Sequence, residues 1–230
     1  MLAGIPLARP AAAGIELAAA YPELLKFEVT RDGAPLGVVM ERFGRDGDDA
    51  VAEVFIDFKV EFARIALYRY EHRSRERWRG GRLVALDSVT NDDGAAQRVA
   101  ARADPGGLRV DGEAGRITAP ADILPSSYWH PRFVEQRRML DSQFGRILEF
   151  TITDAGRETV TALGRPVDCT RYAMRGDIDL DFWYDDRRVW QKMSFTIAGG
   201  FIEYTRVAPA PADAVRFGAA LRDGRTLPAA

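Results

Sequence analysis

Six turn dipeptides divide the first half of the chain into short segments. They are Asp32-Gly33, Asp46-Gly47, Gly80-Gly81, Asp93-Gly94, Gly106-Gly107 and Asp111-Gly112. Pairs of this kind favour the tight turns of β-hairpins, and the segments between them are rich in β-branched and aromatic residues. In residues 50–62, apolar and charged side chains alternate with the period of two that a half-buried strand requires. This rhythm predicts a succession of antiparallel strands joined by short turns.

The same alternation resumes after Gly145 and continues to about residue 207, which gives more than ten candidate strands. A flat sheet of this width would expose its edges and an apolar face, so we expect one sheet that curls into a half-barrel or barrel. Residues 131–144 have a helical pattern, since Pro131 suits a first helical turn and Gly145 a helix stop. The predicted fold class is therefore all-β, with one main helix at about residues 131–144 that covers the open side of the sheet.

The chain is expected to contain a single β-barrel or half-barrel domain at residues 25–207. Residues 208–230, with repeated alanine and proline, are expected to form a weakly ordered tail. Residues 1–24 are a leader, which is either the remnant of an export signal or a disordered Ala/Pro-rich segment. From this leader we expect a periplasmic or exported protein, with a cytoplasmic location as the alternative.

Composition removes several classes of protein from consideration. The net charge of −2 provides no global field that would attract nucleic acid or an anionic membrane. Cys169 is the single cysteine, and His72 and His130 are the two histidines, so no motif with metal-ligand spacing occurs. No apolar run approaches the ~18–20 residues of a membrane span. We expect no cofactor, no metal, no nucleic-acid partner and no transmembrane segment, and the oligomeric state stays open.

The most unusual candidate strand runs from Tyr68 to Trp78. Its odd positions are charged, as is typical of a solvated ladder: Arg69, Glu71, Arg73, Arg75 and Arg77. Its even positions mix aromatic and hydrogen-bonding groups: Tyr68, Tyr70, His72, Ser74, Glu76 and Trp78. Such a stripe either lines a cavity or forms a hydrogen-bonded network in the core. His72 and Glu76 are about 13 Å apart along a strand, which is too far for a direct acid/base pair.

A second candidate is the segment 126–131, which reads Ser-Ser-Tyr-Trp-His-Pro. Loops that carry binding and catalytic residues often have such a mixture of side chains. A serine of this segment with His130 would suit a nucleophilic hydrolase, but the chain has no Gly-x-Ser-x-Gly motif. A serine cap with Tyr128 and Trp129 packed as an anchor would suit a purely structural role. The sequence leaves ligand contact and structural anchoring open.

The chain resembles a bacterial family of unknown function whose members are predicted to be exported β-rich proteins. The resemblance is carried by residues 68–76 (Tyr-Arg-Tyr-Glu-His-Arg-Ser-Arg-Glu), by residues 83–90 and by residues 118–131, with support from residues 176–184. More remotely, the layout is similar to periplasmic half-barrels of the lipoprotein-carrier kind, in which a curved sheet holds an acyl chain beneath a helix. The family brings no established catalytic residues, and fold alone does not fix function.

The hypothesis at this point is a non-catalytic binding or carrier module in the cell envelope, whose partner is a hydrophobic or lipid-like small molecule. The expected ligand-binding residues are Tyr68, Tyr70, His72, Glu76, Trp78, Tyr128, Trp129 and His130. One alternative is an isomerase, lyase or hydrolase that uses His72, His130 and Glu76 as acids and bases. Another is a structural or assembly protein of the envelope.

Overall fold

The structure is a computed structural model that describes residues 21–62, 65–113 and 115–222. Most of these residues lie in fifteen β-strands that form one sheet. The first eight strands are β1 Leu24–Arg31, β2 Ala34–Asp46, β3 Asp49–Phe62, β4 Ile65–Arg79, β5 Arg82–Asp92, β6 Ala95–Asp104, β7 Gly107–Gly112 and β8 Gly115–Ala119. The others are β9 Leu124–Pro125, β10 Arg138–Leu140, β11 Ile147–Ala162, β12 Arg165–Gly176, β13 Leu180–Asp185, β14 Trp190–Ile197 and β15 Gly200–Val207. The mostly β fold with a large curved antiparallel sheet is confirmed.

The strand order is a meander that is joined in its middle. In one half of the sheet each strand from β1 to β8 pairs with the next one in sequence. In the other half the same holds from β9 to β15, and the two halves are joined where β1 pairs with β15. Among the described strands the pairs are antiparallel except for β9 with β10. The two edge strands, β8 and β9, are linked by residues 120–123 alone. Because the five Cα–Cα steps from Ala119 to Leu124 span at most about 18 Å, the end of β8 and the start of β9 lie close together.

One face of the sheet carries the main core, and we call it the inner face. Its largest fully buried side chains include Phe27, Trp78, Phe182 and Trp190. The opposite, outer face holds two small clusters, one of which is formed by Met40, Phe55 and Phe217, and the other by Val160, Cys169 and Trp183. A curved sheet that encloses its own apolar face removes that face from water without a second layer.

The predicted helix at residues 131–144 is wrong. The segment contains one turn of 3-10 helix at Phe133–Glu135, and then β10 at Arg138–Leu140. Phe133 and Leu140 are both fully buried, as a helical face would require. However, β11 offers backbone partners to β10, and this pairing replaces the helical hydrogen bonds. The turn after β10 is closed by the Asp141 carboxylate, which accepts a hydrogen bond from the Gln143 N–H at 2.9 Å.

The helix of this fold lies in the segment that was expected to be a weakly ordered tail. Helix α1, Pro211–Arg222, packs on the outer face. Phe217 is fully buried there, with its ring 6.4 Å from that of Phe55 and the Arg42 guanidinium 4.9 Å above it. Lys26 bridges to Asp213 at 3.0 Å. Residues 223–230 of the expected tail and residues 1–20 of the expected leader lie outside the described residues. No helix in the described part of the chain is long and apolar enough to cross a membrane.

We expect Phe217→Ala to release α1 from a sheet that stays folded. A helix of this length is marginal in water by itself, so its order depends on docking. Truncation of a buried phenylalanine costs about 3–5 kcal/mol, which corresponds to roughly a hundredfold or more in the exchange rates of amides that open locally. Hydrogen exchange measured by mass spectrometry checks this. Val215→Ala is the control, because Val215 is 70% exposed on the same helix. Unchanged protection of α1 in Phe217→Ala would contradict the docking role.

The pairing of β3 with β4 is confirmed, and its register corrects the expected charged ladder. Arg75 lies opposite Glu53, 3.5 Å away in the ion pair, whereas Asp57 lies opposite Glu71. Arg73 is not solvated, because its side chain is buried and its guanidinium group forms an ion pair with Glu71, with 2.5 Å between Nη2 and Oε1. The outer face of β4 is therefore solvated at its ends and partly covered in its middle.

Candidate functional site

The even-numbered side chains of β4 from Tyr68 to Trp78, which we call the stripe, point to the inner face. Trp78 belongs to the main core at 1% exposure, and Glu76 and His72 on the same face are 0% and 3% exposed. Tyr68 and Tyr70 are only partly buried at the start of the stripe. The stripe therefore runs from a half-exposed rim into the fully buried centre of the sheet.

The segment 126–131 lies over the inner face and places its aromatic rings against the stripe. Trp129 and His130 are buried at 2% and 3% exposure, and Tyr128 is partly buried. Tyr128 has a φ of +61°, a left-handed conformation that is uncommon for a bulky residue. The backbone N–H of Trp129 donates to the backbone carbonyl of Ser127 at 2.9 Å, and the Tyr184 hydroxyl donates to the backbone carbonyl of Tyr128. We call residues 126–131 the covering turn.

Four of the predicted site residues, Glu76, Trp78, Trp129 and His130, form one cluster around the Glu76 carboxyl group and the Trp78 ring. Its Oε2 accepts hydrogen bonds from the indole N–H groups of Trp78 and Trp129, both at 3.0 Å. The His130 ring stacks on Trp78 with centroids 5.1 Å apart and an interplanar angle of 27°. Neither Glu76 Oε1 nor His130 Nε2 has a hydrogen-bond partner among the described residues. Strand β4 and the covering turn thus build a buried centre that is aromatic on its walls and polar in its middle.

His72 is not part of this centre. Its Nδ1 lies 2.7 Å from Thr90 Oγ1 and its Nε2 lies 3.4 Å from Ser142 Oγ. Ser142 Oγ is in turn 2.9 Å from Ser126 Oγ. Both ring nitrogens are therefore engaged, and the network ties the start of the covering turn and the loop after β10 to the sheet. Burial lowers the pKa of His72 to about 4, which keeps the ring neutral.

Tyr68 and Tyr70 belong to a separate network at the rim. The Tyr68 hydroxyl donates to Asp92 Oδ1 at 2.9 Å, and the Tyr70 hydroxyl donates to Gln143 Oε1 at 3.1 Å. The Gln143 amide then donates to Asp92 Oδ2 at 3.2 Å. Burial and the Asp92 carboxylate raise the pKa of Tyr68 above its usual value. This arrangement holds the loop after β10 against β4 and β5.

The inner face holds a second buried carboxyl group, which is not among the residues expected from the sequence. Glu41 of β2 is 1% exposed and lies in phase with Val39 and Phe43, which are both in the main core. Its Oε2 has no partner among the described residues. A signal for it does exist, because an acid stands at the inward phase of an otherwise apolar strand. The register, Glu41 opposite Val54 and Val54 opposite Ser74, places it two strands from the stripe of β4.

The two interior carboxyl groups affect each other electrostatically. Burial raises the pKa of Glu76 to about 7, against the indole hydrogen bonds from Trp129 and Trp78 that stabilise its ionised form. Burial, and then the charge of Glu76, raise the pKa of Glu41 well above its usual value. Burial, followed by the Arg132 charge, lowers the pKa of His130 to about 4. The centre therefore resists every ionisation, in the direction expected for a low-dielectric site.

Two partly open cavities lie elsewhere. One has a volume of about 360 Å³ and is lined by residues of β5, β6 and β7, among them Asp87 and Ala100. The other has about 240 Å³ and is lined by Arg42, Gly44, Arg45, Val51, Glu53 and Arg75. None of the eight predicted site residues lines either cavity. Within the described residues, no group of three or more histidine, cysteine or acidic side chains converges as a metal site would require.

Comparison with known proteins supports the fold and leaves the activity open. The profile of a domain of unknown function, DUF6134, matches residues 27–207. The chain is also similar to a crystal structure of a beta-barrel-like protein of the domain of unknown function DUF1849 from Brucella abortus. The TM-score is 0.56 at 10% identity, over 80% of this chain and 94% of that chain, so the likeness shows the fold alone. No curated protein matches the chain.

Proposed function

The chain belongs to the DUF6134 family of unknown function, and we propose that it is a non-catalytic binding or carrier module for a hydrophobic or lipid-like small molecule. The proposed site is the inner face beneath the covering turn. Trp78 and Trp129 form its aromatic walls, while Glu76 and His130 supply its polar groups. Sites for small molecules commonly combine an apolar lining with a few polar groups that fix orientation.

One observation carries this proposal. Glu41 Oε2, Glu76 Oε1 and His130 Nε2 are buried without a partner among the described residues, and Glu76 and His130 lie against the aromatic walls. Buried polar atoms are nearly always hydrogen-bonded in folded proteins, and each exception calls for an explanation. A bound molecule with its own polar group would satisfy these atoms.

Entry of a ligand requires the covering turn to move, because the centre is packed and closed. The left-handed conformation of Tyr128 supports such movement. A bulky residue in this region stores on the order of 1–3 kcal/mol of strain, and such strain is typical of clamps and switch segments. Release of that strain would offset part of the cost of lifting Trp129 from its contacts.

We expect a hydrophobic ligand to change the emission of the tryptophans on the inner face and to leave the emission of Trp183 on the outer face unchanged. The full chain, purified without detergent, is titrated with n-octanol while emission is recorded, and native mass spectrometry measures the bound stoichiometry. Trp129→Phe should remove most of the change, because Trp129 forms the wall of the site. Trp183→Phe is the matched control, since Trp183 lies in the outer-face cluster with Val160 and Cys169.

Two results would count against a carrier. One is the absence of any adduct in native mass spectra, both after gentle purification and with added n-octanol. The other is an emission change that survives Trp129→Phe and disappears in Trp183→Phe, which would place binding on the outer face.

Binding is better supported than acid/base chemistry. The enzyme alternative requires His72, His130 and Glu76 to act on one substrate, yet the hydrogen bonds of His72 go to Thr90 and Ser142. An envelope location for the carrier stays a proposal, since it depends on residues 1–24, of which residues 1–20 lie outside the described residues. A reporter fusion to the natural start of the chain tests it.

A further inference from the structure

Seven carboxyl side chains are buried within residues 21–60, 68–113 and 115–220. They are Glu41, Asp49, Glu71, Glu76, Asp87, Asp141 and Asp213. Transfer of an ionised carboxylate from water into a protein interior is costly unless a positive charge or several hydrogen bonds compensate for the lost hydration. The partners of these seven groups therefore show which of them the protein itself neutralises.

Five of the seven have a basic partner from the same chain. These ion pairs are Asp49–Arg79 at 2.7 Å, Glu71–Arg73 at 2.5 Å, Asp87–Arg102 at 2.8 Å, Asp141–Arg146 at 3.0 Å and Asp213–Lys26 at 3.0 Å. Each of these partners reaches its acid near the rim or on the outer face of the sheet. The protein thus compensates buried acids with arginine or lysine as a rule.

Glu41 and Glu76 are the two exceptions in the described part of the chain. Both point to the inner face, and each leaves one carboxyl oxygen without a hydrogen-bond partner there. Their strands, β2 and β4, are separated by β3 alone, which puts their backbones on the order of 10 Å apart across the sheet, and the charge of Glu76 acts on Glu41. The inner face thus holds two buried acids, each with one carboxyl oxygen that has no partner in the described residues. No basic side chain in that part of the chain is paired with either of them, so a positive charge is missing from this site.

We propose that the missing charge belongs to the ligand, and that the interior site takes a hydrophobic amine whose ammonium group lies between Glu41 and Glu76. This inference rests on the proposed function and names the chemical class of the molecule bound. An ammonium group donates up to three hydrogen bonds, which the two free carboxyl oxygens can accept. The indole N–H groups of Trp78 and Trp129 both donate to Glu76 Oε2, which leaves Oε1 as the oxygen that is free to accept from the ammonium group.

The same arrangement disfavours an acidic ligand. A fatty acid would bring a third carboxylate next to two that burial already disfavours, and like charges in a dry site repel strongly. A fatty alcohol adds no charge and would satisfy at most part of the free acceptors. The expected order of affinity is therefore amine, then alcohol, then carboxylate for one alkyl chain.

Three ligands with the same eight-carbon scaffold test this order: n-octylamine, n-octanol and n-octanoate. Each is titrated into the full chain, with tryptophan emission and native mass spectrometry as readouts. We expect n-octylamine to bind at least about tenfold more tightly than n-octanol, and n-octanoate to bind most weakly. Glu41→Gln and Glu76→Gln should each weaken n-octylamine by roughly thirtyfold or more, as the loss of one partner of a buried charge pair does, and leave n-octanol nearly unchanged.

Glu53→Gln is the matched control, because this glutamate lies on the partly exposed outer side of β3, paired with Arg42. It should leave the affinities for all three ligands unchanged. Equal or tighter binding of n-octanol or n-octanoate than of n-octylamine would overturn the amine and leave the carrier in place. Failure of all three to bind would overturn both proposals. The comparison of the three ligands uses the wild-type chain, so it decides the question even where a variant fails to fold.

Discussion

We expect Trp129→Ala to lower the free energy of unfolding by about 3–5 kcal/mol, the range for truncation of a large buried aromatic residue. The indole of Trp129 is 2% exposed, and its ring lies 5.1 Å from Phe43, 5.2 Å from Trp78 and 5.7 Å from Tyr21 between centroids. Its N–H also donates to Glu76. The substitution therefore leaves a cavity and removes a donor from a buried carboxyl group. Urea denaturation followed by circular dichroism measures the change.

Two further variants separate the sources of this loss. Trp129→Phe keeps most of the ring contacts and removes the N–H donor, so it should cost less, about 1–3 kcal/mol for a buried acceptor that loses a partner. Phe201→Ala, at 46% exposure on β15, should stay within about 0.5 kcal/mol of the wild type. If Trp129→Ala destabilised the protein no more than Phe201→Ala did, the covering turn would not be part of the core.

The second large effect concerns pH. Because burial raises the folded-state pKa of Glu76 from 4.5 to about 7, the stability that this group contributes is complete below pH 4.5 and is lost as the pH rises through 7. Glu76→Gln resembles the protonated acid and still accepts hydrogen bonds from Trp78 and Trp129. We therefore expect its stability relative to the wild type to increase by about 2–3 kcal/mol between pH 5 and pH 8. Urea titrations of both proteins at the two pH values measure this difference.

The wild-type profile combines opposite trends. Glu41, whose pKa is also raised, loses its contribution as the pH rises. His72 and His130, whose pKa values are lowered from 6.5 to about 4, contribute stability above pH 6.5 that is lost as the pH falls through 4. These trends oppose one another between about pH 4.5 and 6.5, so the difference between variant and wild type isolates Glu76 better than either profile alone. An equal difference at pH 5 and pH 8 would show that Glu76 is not desolvated.

The strands were predictable because the turns and the alternating strands of a hairpin sheet are both local features of the sequence. Each Asp-Gly or Gly-Gly turn and each alternating segment can be recognised without knowledge of the rest of the chain, and β3 with β4 paired as expected. The inward direction of Glu76 and Trp78 followed from the same period of two. Their meeting with Trp129 and His130 depends on how the covering turn crosses the sheet, which is a property of the tertiary fold.

The failures have physical causes of their own. Phe133 and Leu140 recur at a helical spacing, but two buried side chains seven residues apart also fit a turn followed by a strand, once β11 supplies backbone partners. Helix α1 was not predicted because its apolar side is weakly marked, with Phe217 as its large buried side chain in a segment rich in alanine and proline. Glu41 was overlooked because an acid at an inward position conflicts with the rule that makes such strands recognisable. Conflicts of this kind concentrate where function or strain is present.

The junction of β1 with β15 has a consequence for how the molecule is made. Lys26 pairs with Val207, so the middle of the sheet is completed by residues that leave the ribosome roughly 180 residues apart. Until β15 is synthesised, the nascent chain holds a half-sheet whose β1 edge has free backbone N–H and C=O groups. Pairings of such sequence separation form slowly, and open edges of this kind are templates for aggregation. The β1 edge is therefore the part of the half-sheet that is open to pairing with another chain until β15 is made.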